Sequence, residues 1–252
     1  MYYVCTRFVL AVFGVLMLVL AGCATTAPAS HRVHYSLLDT VARPVPTKVA
    51  LLPLDIKVSE VFAGGVVEEV PEWTEQGVHH IRHGIEVYAG TNPQLQILPI
   101  PRLTGNEQKL VKEHLALYNI VAGGAFQTTT FGGSGWKHKV DHFDYTLGTG
   151  LAFLKSRTGA DAGLVVVGRH QVATKGRVAA AVLAALFGGG YMQASNNFLT
   201  IGIVDFETGD ILWFNYTRGA TGRDLRKVET ADEEVRRLLE EFPGLEIYRK
   251  RR

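Results

Sequence analysis

Gly163-Leu164-Val165-Val166-Val167-Gly168 is an unbroken apolar run, β-branched at its centre and bounded by glycine at both ends. A run of this kind reads as a central strand buried on both faces, not as an alternating surface strand. Downstream, Asn197–Asp205 and Asp210–Tyr216 read as two strands joined by Phe206-Glu207-Thr208-Gly209, with Gly209 free to take a positive φ. In the second of these strands Ile211 and Trp213 alternate with Leu212 and Phe214, so both faces are apolar and both need cover. Helices would cover one side, and a subunit interface could cover the other. Thr230-Ala231-Asp232-Glu233 has capping-box spacing and opens an amphipathic helix through Val235, Leu238, Leu239 and Phe242, ended by Pro243-Gly244.

Upstream, Lys48–Asp55 reads as a buried first strand that ends at Pro53. Val78, Ile81, Ile85 and Tyr88 fall at helical spacing within Trp73–Tyr88, and Asn92-Pro93 breaks that helix. Leu95–Ile100 reads as a second strand ending in the Pro99/Pro101 pair. Thr104 and Glu107 have capping-box spacing and open a helix over Gly105–Tyr118. Ile120–Phe126 reads as a further strand, Thr128–Lys139 as a long loop, and Tyr145–Arg157 as a helix closed by Gly159. Strands and helices interleave, and no internal repeat is evident. The expected fold class is α/β (α+β): a single mixed sheet flanked by helices, ending in a β-hairpin and a C-terminal helix.

The N-terminus carries a different signal. Arg7 precedes the apolar run Phe8–Leu20, which Leu20-Ala21-Gly22-Cys23 follows. As a helix the run would be roughly 20 Å long, short against a hydrocarbon core of about 30 Å. Basic start, apolar middle and small residues are the signal-peptide order; an uncleaved N-terminal anchor is the alternative. The stretch resembles the lipobox of bacterial lipoproteins. That resemblance implies cleavage before Cys23 and about three acyl chains on it, where one chain alone anchors only marginally. It also implies outer-membrane sorting, because Ala24 and not aspartate follows the cysteine. The expected divisions are a signal peptide over 1–22, a lipid-anchored tether over 23–47, a periplasmic α/β domain over 48–248 and a basic tail over 249–252.

Cys5 would leave with the signal and Cys23 would be acylated, so the mature chain keeps no thiol for a disulfide or a cysteine metal site. Removal of residues 1–22 leaves 230 residues, enough for one large domain. It also removes Arg7, so the formal charge falls from +2 to +1. That near-neutral balance gives no bulk electrostatic case for nucleic acid. The tail Arg249-Lys250-Arg251-Arg252 reads as solvated, with contact to anionic lipid or peptidoglycan carboxylates as the alternative. With 47% hydrophobic and 20% charged residues, the chain can build a core.

Three stretches together resemble one group of periplasmic lipoproteins: Val49–Leu54, Thr158–Gly168 and Val204–Trp213. They look like the curli-secretion-channel (CsgG-like) fold, to which the penicillin-binding-protein activator lipoproteins and the TolB N-terminal domain are similar. The resemblance spans about residues 48–242. The lack of catalytic motifs, with the two-faced apolar strand and the alanine-rich Val178–Phe187, gives the expectation of a non-enzymatic envelope protein that binds an envelope partner or forms a homo-oligomer on the periplasmic side of the outer membrane. A secretion or pore subunit, which the resemblance implies, is the alternative. Membrane hairpins of such a channel need strands of about 9–11 alternating residues; the best apolar stretch here, Val178–Phe187, does not alternate, and its alanines favour helix.

That stretch is the first candidate site. Leu183, Leu186 and Phe187 could touch a membrane or a partner; burial in the core or in a homo-oligomer contact is the favoured reading. His79, His80 and His83 form the only metal-like cluster, with His79 and His83 at i and i+4. A solvated helix face is the simpler account, and no metal is expected. Gly148-Thr149-Gly150 lacks the context of a phosphate loop. Phe131 and Trp136 flank a glycine-rich loop and read as packing back on the body. No nucleophile elbow is present, so no catalytic residue and no cofactor beyond the lipid on Cys23 is expected.

Overall fold

The computed structural model describes residues 31–38, 43–130, 136, 138–187, 195–219, 223–240 and 242. The Leu20–Cys23 motif, the start of the tether, Gly188–Gly190, Pro243-Gly244 and the basic tail lie outside these residues.

The described chain forms one mixed sheet flanked by helices. In order the elements are β1 (Arg32–Val33), α1 (Tyr35–Leu38), β2 (Lys48–Leu51), β3 (Asp55–Val61), β4 (Val67–Glu69), α2 (Pro71–Thr91), β5 (Gln96–Pro99), α3 (Gly105–Thr130) and α4 (His138–Asp141). A 3-10 turn at Thr149–Leu151 follows, then α5 (Phe153–Thr158), β6 (Ala162–Ala173), α6 (Lys175–Leu186), β7 (Phe198–Asp205), β8 (Ile211–Arg218) and α7 (Val228–Leu238). The strand order is β1-β8-β7-β6-β2-β5, with β3 also on β6 and β4 on β3.

The valine run is the axis of the sheet, as its sequence predicts. β6 pairs antiparallel with β7 along one edge. Its other edge is shared by β2, opposite Ala162–Leu164, and β3, opposite Val167–Ala173, both parallel. Pro53 separates these two partners, because proline has no N–H to donate to a ladder. The sequence reading ended the strand there and missed β3. One extra residue is taken up at the break: Leu51 faces Leu164, whereas Asp55 faces Val167. A one-residue shift exchanges the two faces of a strand. It lets Val49 and Leu51 and then Ile56 and Val58 all enter the same core cluster.

Two cores sandwich the sheet. One holds Ile81 and Ile85 of α2 with Val235 and Leu238 of α7. The other holds Val111, Leu115 and Tyr118 of α3 with Leu151 and Leu154. Both faces of β8 are therefore covered within the chain: Trp213 lies in the first core and Phe214, against Phe143, in the second. The subunit interface expected on its second face is not needed there.

Several local expectations are corrected. Ile120–Phe126 is not a strand. α3 runs through it, and Ala122, Ala125 and Phe126 extend the buried stripe of Val111, Leu115 and Tyr118 while Ile120 faces solvent. Gly123 and Gly124 each cost about 1 kcal/mol against alanine, less than this packing returns. Tyr145–Gly148 is not helical, since Thr146 bridges to Asp210 beside the β7–β8 turn. The Thr230 capping box does not form: α7 starts earlier, at Val228, and the Thr230 hydroxyl donates to the carbonyls of Asp224 and Lys227. The Thr104 box does form, with the Thr104 N–H donating to Glu107 at 2.7 Å and the Glu107 N–H to Thr104 Oγ1 at 3.4 Å.

Close approach dictates glycine at several positions, Gly202 among them. A Cβ on Gly202 of β7 would lie 2.5 Å from the buried ring of Tyr118. Gly202→Ala is expected to cost about 1–3 kcal/mol by overpacking, read as a lower urea midpoint at unchanged m-value; no shift would place α3 farther from the sheet.

Candidate functional site

An open cavity of about 650 Å³ lies at the carboxyl ends of β2 and β5. Its position follows from the topology. Past Pro53 the chain continues from β2 into β3, turns through β4 and returns by α2 on one face of the sheet to reach β5; it leaves β5 and crosses by α3 on the opposite face towards β6. Adjacent parallel strands whose crossovers diverge leave a crevice at their carboxyl ends, the usual place for a ligand in such sheets.

The floor is Leu51, Leu52 and Pro53, and one wall is the stretch 97–103, which includes Ile100 and the Pro99/Pro101 pair. Val111 and Leu115 of α3, one helical turn apart, close the apolar side. Charged groups also line the cavity: Arg82 and Glu86 from α2, Arg102, and Lys112 from α3, all exposed. Among the described residues none of these three cations is in an ion pair, so the mouth carries three positive charges against one carboxylate. The N-terminus of α3 nearby is already satisfied. Glu107 caps Thr104 and pairs with Arg157 at 3.3 Å, and the Thr104 N–H holds its carboxyl below the usual range.

The sequence reading did not find this site. Its signals were present in part: a strand ending in Pro-x-Pro, followed at once by a helix cap. What brings Arg82 and Glu86 across from α2 is tertiary.

The second feature is apolar and exposed. Thr174 Oγ1 accepts from the Arg177 N–H at 3.1 Å and caps α6, a helix with no buried residue. Val178, Val182, Leu183 and Leu186 face solvent, and Phe187 is 82% exposed. The favoured expectation of core burial is thus overturned for this chain alone: β6 ends before α6 begins, and α6 stands beyond the sheet. The neighbouring β3–β4 hairpin, which Arg177 Nη1 reaches at the Ala63 carbonyl (3.4 Å), adds Phe62, Val66 and Val67, also exposed. Lys175 and Arg177 are the only charged residues of α6.

The remaining candidates are structural in their contacts. His80 Nδ1 meets the Leu225 carbonyl at 2.9 Å, and His83 Nδ1 meets Asp232 at 3.0 Å, so these two rings tie α2 to the α7 region instead of converging with His79. Among the described residues no group of three or more histidine, cysteine or acidic side chains is placed to hold a metal. Gly148 takes a positive φ at the start of the 3-10 turn, and Trp136 is exposed instead of packing back. Phe131 lies outside the described residues. Among the described residues no helix is long and apolar enough to cross a membrane.

No family model matches the chain, and no curated protein matches it. Among solved structures it is similar to a PelC dodecamer from Paraburkholderia phytofirmans, at 9% identity over 83% of this chain and 91% of that one, with a TM-score of 0.33. A variant of that protein, also a dodecamer, matches at 11% identity over 83% and 94%, with a TM-score of 0.32.

Proposed function

We propose that this chain is a lipoprotein of the bacterial cell envelope that acts by binding and not by catalysis. It is held through acylated Cys23 on the periplasmic face of the outer membrane, with residues 1–22 removed as a signal peptide; the periplasmic domain begins before the expected residue 48, because β1 pairs with β8 and Val33 and Leu37 enter its core. The exposed face of α6, with Leu183, Leu186 and Phe187, is the surface on which an envelope protein or a second copy of the chain seats. That face carries the reading. Contiguous exposed apolar side chains mark interaction sites, and here Val178, Val182, Leu183, Leu186 and Phe187 are all exposed. The order of Arg7, the apolar run and Leu20–Cys23 supports the address.

The test is the double variant Leu183→Asp/Phe187→Asp in the acylated chain. Both side chains are exposed, so folding stability is expected to stay within about 0.5 kcal/mol of the original. Crosslinks from native membranes to a partner, or between copies, should disappear. A folded variant with its crosslinks intact removes α6 from the proposal. Cys23→Ser should independently release the chain from the membrane fraction, and retention there would refute the lipid anchor.

A further inference from the structure

We infer that the crevice between β2 and β5 binds a small amphiphile with one anionic head group and an apolar body, a ligand class independent of whatever seats on α6. Three observations converge. The crevice has a ligand-sized volume, about 650 Å³, within the roughly 300–1,000 Å³ of small-molecule sites. Its floor and inner walls are apolar, from Leu52 through Ile100 to Val111 and Leu115. Its charges, Arg82, Arg102 and Lys112 against Glu86, have no ion-pair partners of their own among the described residues. An apolar interior beneath a net-positive mouth is complementary to an amphiphile whose head is a carboxylate or phosphate.

The wall also argues against an extended peptide as occupant. A peptide that added a strand beside β5 would need backbone donors along that edge. Pro99 and Pro101 remove two of them and fix the backbone, so the wall is preformed and takes apolar surface instead of a ladder. The basic sequence at 249–252 is electrostatically unsuited to this mouth, which disfavours the chain's own C-terminus.

The experiment uses the full acylated chain in phospholipid nanodiscs, with isoleucine, leucine and valine methyls labelled for NMR. Octanoate and octanol are the probes, equal in chain length and different in charge. Octanoate is expected to shift Ile100, Val111 and Leu115 methyls saturably, with a midpoint at least tenfold below that of octanol. Its midpoint should rise with added salt, which screens charges at the mouth. Each exposed pair contributes only a few-fold, so the test reverses two at once: Arg102→Glu/Lys112→Glu should raise the octanoate midpoint tenfold or more. Both side chains are exposed, and unchanged methyl shifts elsewhere report that this variant is folded. Leu183→Asp/Phe187→Asp should leave octanoate binding unchanged, which separates this site from the α6 surface. Absence of shifts in the crevice, equal midpoints for the two probes, or an unaltered midpoint in the charge-reversed variant would each overturn the inference.

Discussion

Trp213→Ala is expected to remove about 3–5 kcal/mol of folding stability, the range for deleting a large buried aromatic. Trp213 is fully buried on the inner face of β8. Its ring stacks on His31 at 4.7 Å and 6°, and meets Phe242 at 5.6 Å. One side chain thus fastens both His31 and Phe242 to β8. Against a total of about 5–15 kcal/mol for an ordinary domain, the loss is a large fraction. Urea denaturation checks it, with Trp136→Ala as the control. Trp136 is 61% exposed, and its removal should cost within about 0.5 kcal/mol. Equal midpoints for the two variants would mean that the N-terminal segment does not close over β8.

The second large effect is a loss of stability on acidification that begins near neutrality. Burial lowers His31 to about 4, with the Arg32 charge adding to the effect. Burial likewise lowers His34 and His170, against the opposing pull of Asp210 and Asp224 respectively. The sign follows from proton counting. Below the ordinary histidine value of about 6.5 the unfolded chain takes up protons that the native rings refuse, so stability is full above that pH and falls as pH drops towards 4. For His31 alone the loss is about 2 kcal/mol at pH 5 and about 3 kcal/mol at pH 4. Asp224, held low first by its hydrogen bond from Arg226, adds its own loss only under more acidic conditions. His31→Phe keeps a ring on Trp213 and removes the titration. Its melting temperature is expected to fall less than that of the original chain between pH 7 and 5. Parallel curves would show that His31 titrates normally in the native state.

Much of the fold is legible in the residues because local rules and tertiary demands agree there. The valine run and the Gly209 turn each admit one reading, and each is found where that reading puts it; the Val235–Phe242 stripe is buried as expected, but α7 ends at Leu238 and Phe242 joins the core from beyond it. The failures have particular causes. Ile120–Phe126 is short and apolar, and period alone does not separate strand from helix over seven residues. β3 was hidden because proline usually ends a strand, whereas here a long partner carries the ladder past it. α6 was misjudged because composition reports that a segment is apolar without reporting whether anything is left to cover it. The crevice was illegible for a stronger reason. Its cations come from α2, from the connection after β5 and from α3, and only the crossing of two helices on opposite faces assembles them.

The borders of the sheet limit how copies of this domain can associate. β5 presents Pro99 on its outer side, followed by Pro101. β4 is three residues long and ends in Glu68-Glu69. On the far side β1 covers only Phe214 and Trp213, and beyond it Asn215 Oδ1 accepts the Tyr216 N–H while its amide donates to the Leu238 carbonyl. Proline, short charged strands and self-occupied amides are the devices that stop one sheet from continuing into another. At the described edges, copies of this domain are therefore expected to meet through side chains and not through a backbone ladder continued from one sheet into the next.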